Sequence, residues 1–215
     1  MNQVAKEELL RLIEGNMRFQ QACLVDRSGE LNFTRLSLAK EGQKPWAIVV
    51  GCSDSRVPVE KVFDSGLGEL FVVRVAGNVA DANVIASVEF AMTFWDIKLC
   101  VVLGHRSCGA VSQAFNPVGP SLSAHVDNLM QKIKFAAQHQ IGPQGNPPED
   151  MERIAKANSS YWQRHLMAVS PVVGQRVLDE KTLVAWAWYD TWTGLVHFDR
   201  KIIESYEVSA PKAAF

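Results

Sequence analysis

The chain has 215 residues, of which 47% are hydrophobic and 21% charged, with a formal net charge of -1. That length and balance describe a globular protein of one domain with enough chain to bury a sizeable core. The near-neutral charge argues against nucleic acid as a partner, and no apolar run is long enough to argue for a membrane.

The chain starts MNQVAKEELLRLIEGNMRF, without the uninterrupted apolar core of a signal peptide, so a cytoplasmic protein is expected. Residues 4–22 place Leu9, Leu10, Leu12, Ile13, Met17 and Phe19 at helical spacing. Residues 26–44 are polar and read as irregular. Pro45 then leads into the apolar run 46–50, which reads as a strand covered on both faces. A second strand is expected over 70–75, a helix over 83–95 and a third strand over 98–103. Helices follow at about 121–139 and 149–168, separated by the Gly/Pro-rich break 142–148. Ser170-Pro171 has the signature of a helix start. Strands at 183–188 and 195–198 flank a short connection and predict an antiparallel hairpin. Alternating strands and helices predict an α/β fold: a mainly parallel central sheet flanked by helices, with an antiparallel edge near the C-terminus. Neither an internal repeat nor a domain linker is visible.

Two of these strands end in loops rich in reactive side chains. The first gives Gly51-Cys52-Ser53-Asp54-Ser55-Arg56, the second Gly104-His105-Arg106-Ser107-Cys108-Gly109. In open parallel sheets functional groups gather beyond the carboxyl ends of the strands, so both loops point toward one rim. His105 and Cys108 are close enough in sequence to share an ion, and Cys52 completes a Cys₂His set suited to zinc. Three protein ligands leave a fourth position open, as in catalytic rather than structural sites. Asp54 and Arg56 are spaced for a bidentate ion pair that keeps the carboxylate ionised and aimed. Such a carboxylate can orient a reacting water, or swing onto the metal and block it. Each loop alone has a blander reading, as a packed cysteine or a turn with a surface ion pair. Two such loops, each following a buried-type strand, favour the metal site. Cys100 lies inside an apolar strand and reads as an inert buried thiol; Cys23 receives no role. His125, His139, His165 and His197 lack ligand-like neighbours and read as structural or surface residues.

The sequence Cys52-Ser-Asp-Ser-Arg56, followed by Gly104-His-x-x-Cys-Gly109, resembles the β-class carbonic anhydrases. So do Gly68-Glu-Leu-Phe-Val-Val-Arg74, Ala76-Gly77-Asn78, Ser170-Pro171-Val172 and the Tyr189-Asp190…Thr193-Gly194 hairpin. The resemblance runs from about residue 40 to 200. It implies a catalytic core over 41–200, preceded by an N-terminal helical arm over 1–40, within one domain of 1–215. It also implies one Zn²⁺ per chain held by Cys52, His105 and Cys108, with Asp54 as a fourth ligand in a closed form. Asp54 and Arg56 become the dyad that orients or displaces the reacting solvent. Gln43 takes the place of a glutamine that hydrogen-bonds substrate, often across a subunit boundary. Phe71 and Phe90 match aromatic positions of a small apolar pocket, Ala76 a neighbouring position, and Gly109 opens a helix that favours an anionic product.

Some positions depart from the family pattern. Phe90 stands where Tyr is frequent, and Ala76 where some members have Val. Val49 replaces a Trp associated with bicarbonate regulation, and Arg106 adds a charge between two ligands. The implied activity is the reversible hydration of carbon dioxide to bicarbonate by a dimer or tetramer whose N-terminal helices lie across the partner. A hydrolase of carbonyl sulfide or carbon disulfide on the same scaffold is the nearest rival. A non-catalytic zinc-stabilised interaction protein is a more distant one.

Overall fold

The computed structural model describes residues 2–120, 123–138 and 148–207. Helix Gln3–Gln20 (α1) is capped by Asn2, whose side chain accepts from the Val4 amide, and is followed by Leu31–Glu41 (α2). Then come Ala47–Gly51 (β1), the single turn Val59–Val62 (α3), Leu70–Arg74 (β2), Ala82–Trp95 (α4) and Leu99–His105 (β3). The second half comprises Gly109–Phe115 (α5), Ala124–Ala137 (α6), Pro148–Val169 (α7) and Pro171–Leu178 (α8). The hairpin Leu183–Tyr189 (β4) and Val196–Phe198 (β5) follows, and then Arg200–Glu207 (α9). The expected break at 142–147 and His139 lie outside the described residues.

The sheet order is β2-β1-β3-β4-β5, with every pair parallel except β4–β5. This is the expected α/β fold with its antiparallel edge. Every residue of β1 and β3 is buried, which explains why these strands lack polar alternation. Ile48, Val50, Cys100 and Val102 face one core with α4, α6, α7 and α8. Ala47, Val49, Leu99, Val101 and Leu103 face the other, filled by Leu9 and Leu12 of α1 and Phe63. Ser170 caps α8 through the Val173 amide (3.1 Å), with Pro171 in its first turn, as its dipeptide predicts.

Three helices depart from the sequence expectation. α2 occupies part of the stretch read as irregular, the single turn α3 lies between the first two strands, and α9 follows the final strand. None of the α2 residues is buried, and its Phe33 is 78% exposed, so the periodic apolar signal that reveals a packed helix is missing there. On α1 the buried face is Ala5, Leu9, Leu12, Gly15 and Asn16, whereas Met17 is exposed.

Asn16 staples α1 to the core. Its amide donates to the Val62 and Gly194 carbonyls (3.1 and 2.9 Å), and its oxygen accepts from the Val196 amide (2.8 Å). Asn16→Ala strands three backbone groups and should cost roughly 2–4 kcal/mol, read from urea denaturation; an unchanged midpoint would disprove the staple. Glu8 is half buried on the same helix, and its Oε2 has no hydrogen-bond partner. Burial pushes its carboxyl up to about 7, against the attraction of Lys98 and Arg11. The folded state therefore binds more protons than the unfolded chain between pH 4.5 and about 7. This contribution is complete below that window and is lost as pH rises through it. Glu8→Gln should gain stability relative to the parent across that window; a stability difference independent of pH would reject the assignment.

Candidate metal centre

β1 and β3 are adjacent, parallel and in register, with Gly51 opposite Leu103. Their carboxyl ends deliver Cys52 and His105 to the same edge, and the turn after β3 returns Cys108 to it. Ser107 makes that turn with a φ of 54°, an unfavourable conformation for a residue with a side chain. All three side chains are buried, and their ligand atoms lie within 4.8 Å of one another. The two sulfurs are 3.9 Å apart.

His105 is fully buried, and its Nδ1 lies 2.9 Å from the Arg106 carbonyl. A carbonyl only accepts, so Nδ1 carries the hydrogen and Nε2 presents a lone pair. That Nε2 has no hydrogen-bond partner. An orphaned buried lone pair is costly unless a cation meets it. The sulfurs make the same point. Hydrogen bonding with the Cys108 thiol pulls the Cys52 thiol down against its burial, helped by His105 and by the Asp54 and Gly77 amides (3.4 and 3.3 Å). The bond to Cys52, together with burial, pushes the Cys108 thiol up, while the Ala110 and Val111 amides at the start of α5 act the other way. A thiolate beside a thiol and an imidazole lone pair form a donor set in which a soft cation can replace the shared proton.

The first loop is held in shape by two arginines. Arg74, at the end of β2, donates to the Cys52 carbonyl (2.9 Å) and the Asp54 carbonyl (2.6 Å). Arg56 grips the Asp54 carboxylate through Nε (3.0 Å), Nη2 (2.7 Å) and its own amide (2.9 Å). Its Nη2 also donates to the Ser107 carbonyl (3.0 Å), tying the two loops together. The Arg56 hydrogen bonds hold Asp54 down at about 2 despite partial burial. Asp54 Oδ2 lies 3.9 Å from His105 Nε2, beside the ligand set. The dyad is therefore formed, ionised and adjacent to the triad.

Arg106 is neutralised rather than left facing the site. Its guanidinium meets both oxygens of Asp190 (3.2 Å) and one of Glu152 (3.1 Å), and stacks over Trp192 at 4.5 Å. Ala76 and Gly109 flank the ligands, Ala76 in the turn that supplies the Gly77 amide and Gly109 next to Cys108. Gln43, Phe71 and Phe90 do not join them within the chain. Gln43 is exposed and precedes β1. Phe71 pairs with Ile48, four positions before Cys52 and so roughly 13 Å back along the strand. Phe90 and Phe71 both contact Trp95, which precedes β3 at the opposite end of the sheet from the metal ligands. The clamping roles of Arg74, Gly77, Glu152 and Asp190 were not read from sequence. Arg74, Gly77 and Asp190 lie in segments that carry the family resemblance, whereas nothing in the sequence marked Glu152.

A family profile described as carbonic anhydrase matches residues 47–196. Carbonic anhydrase 2 of Mycobacterium tuberculosis is 42% identical over 134 residues, covering 61% of this chain and 63% of the relative. The chain thus spans less than two thirds of the length of that curated relative. Among solved structures, the β-carbonic anhydrase CafA of Aspergillus fumigatus has a TM-score of 0.71 at 24% identity, covering 94% of this chain and 98% of that one. A tetrameric β-carbonic anhydrase of Sordaria macrospora has a TM-score of 0.64 at 20% identity, covering 80% and 93%. At those identities the likeness is one of fold. Taken with the ligand triad and the profile spanning the core, these findings place the chain in the β-carbonic anhydrase family.

Proposed function

We propose that the chain catalyses the reversible hydration of carbon dioxide to bicarbonate and a proton, with one zinc ion per chain. The carrying observation is the buried convergence of Cys52, His105 and Cys108 beside an ionised Asp54–Arg56 pair. Zinc fits the donor set: two Zn–S bonds of about 2.3 Å in a tetrahedron place the sulfurs about 3.8 Å apart, against 3.9 Å here. When bound, zinc supplies the Lewis acidity that makes water nucleophilic near neutral pH.

The chain's own residues do the rest. Asp54, kept ionised by Arg56, only accepts hydrogen bonds, so it turns a water hydrogen toward itself and a lone pair toward the carbon. Arg56 fixes the direction of that carboxylate. Three protein ligands among the described residues would leave a fourth position for solvent, which favours catalysis over a purely structural site. In a closed form, Asp54 would leave Arg56 and take that position itself.

Gln43, Phe71 and Phe90 lie at the far end of their own sheet, which supports a role in a second copy's site. Self-association as a dimer or tetramer follows from that reading, and the tetrameric Sordaria macrospora relative supports it. Phe90 and Phe94 are exposed beside each other, a surface for such contact. Among the described residues no helix is long and apolar enough to cross a membrane. The four cysteines are free, which supports the cytoplasm as the compartment.

Stopped-flow assay of carbon dioxide hydration, run beside carbonyl sulfide and carbon disulfide hydrolysis, tests the activity. Turnover of the sulfur substrates alone would move the assignment to the rival hydrolase. Cys52→Ala should purify without zinc and without activity; full metal content in that variant would break the ligand assignment. Asp54→Asn should keep zinc and slow hydration roughly 10–100-fold. An unaltered rate from pH 6.5 to about 9 would remove the carboxylate from the mechanism, that window spanning the range in which zinc-activated water ionises.

A further inference from the structure

The face of α7 turned to the core carries polar residues where apolar ones would ordinarily pack. Asn158 and Ser159 are both 0% exposed, and Trp162, one turn on, is buried. Burying such groups costs stability unless every donor and acceptor is matched. Here they are matched, and the partners lead to the metal site. Trp162 Nε1 donates to Asn158 Oδ1 (2.9 Å), and Asn158 Nδ2 donates to the Gly77 carbonyl (2.8 Å). Asn78 Nδ2 donates to Ser159 Oγ (3.3 Å), which itself donates to the Ala155 carbonyl (3.1 Å). Two neighbouring side chains of one helix thus hold two consecutive residues of the turn Ala76–Asn78.

That turn needs holding. Gly77 and Asn78 have φ values of 70° and 46°, both left-handed. A Cβ on Gly77 would press against Ile133 Cδ1 at 2.7 Å. The product of this geometry is the Gly77 N–H, which donates to Cys52 Sγ at 3.3 Å. An amide aimed at a thiolate stabilises its charge and fixes where the sulfur sits.

We propose that Asn158, supported by Trp162, is a positioning residue for the Cys52 thiolate, acting through the Gly77 peptide. The inference rests on the metal-site reading above. It assigns a metal-tuning role to a helix about 80 residues beyond the turn it grips.

The test uses the full chain loaded with Co²⁺, whose thiolate charge-transfer absorption reports the sulfur directly. Asn158→Leu keeps the branched shape and removes both hydrogen bonds. Trp162→Phe removes the supporting donor and keeps an aromatic ring in place. Both should move the band to longer wavelength, as the sulfur loses its amide. Chelator competition should show metal affinity falling roughly 10–100-fold, with Trp162→Phe at the lower end. Thr182→Val serves as a control for general destabilisation, because Thr182 is buried and bonded to the Ile97 carbonyl (3.0 Å) and to Arg176, away from the turn. It should lower stability and leave the band in place. A folded Asn158→Leu variant with parental band and affinity overturns the proposal, as does an equal shift in Thr182→Val. If Asn158→Leu fails to fold, Trp162→Phe decides by the same two readings. A parent chain that takes up no Co²⁺ overturns the metal-site reading itself, a result distinct from an unmoved band.

Discussion

The parallel, in-register pairing of β1 with β3 is the constraint on which the site depends. It makes two segments about fifty residues apart end at the same height on the same edge of the sheet. Each strand ends with its reactive residue immediately beyond or at its last pair, so no long loop has to be ordered to bring the ligands together. The strands can be that apolar only because helices cover both faces, which is why α1 and α7 matter to a centre they do not ligate. The pairing with β4 extends the frame to Tyr189 opposite His105, bringing Asp190 within reach of Arg106.

Charge is handled at the rim by local matching. Arg56 serves Asp54, Arg74 serves two backbone carbonyls, and Arg106 is absorbed by Asp190 and Glu152. None of these guanidinium groups competes for the sulfurs. The Cys52 sulfur instead receives the Asp54 and Gly77 amides, which stabilise negative charge without bringing a mobile counter-ion close to the ligand set. The resulting edge is polar yet geometrically rigid.

Much of this was legible in the sequence, for identifiable reasons. β1 and β3 announced themselves because burial on both faces leaves an unbroken apolar run, and the ligand loops because Cys and His beyond such runs are chemically conspicuous. The dyad was visible because its partners are two residues apart. α2 was hidden because a helix without a buried face has no periodic signal. The grip of Arg106 on Glu152, like that of α7 on the 76–78 turn, joins residues far apart in sequence, and nothing local marks such partners. The placement of Phe71 and Phe90 at the other end of the sheet became apparent only from strand register and from their shared contact with Trp95.

Gly104 lies under α7 so tightly that a Cβ there would collide with the hydroxyl of Ser159. The helix and the ligand-bearing strand therefore touch backbone to side chain, with no room for a spacer. Along a lineage, position 104 can enlarge only if position 159 shrinks in the same step or the helix lifts away, taking Glu152 from Arg106 with it. Drift at this contact is thus paired: two neutral-looking changes, each harmful alone, form a narrow evolutionary passage beside the metal.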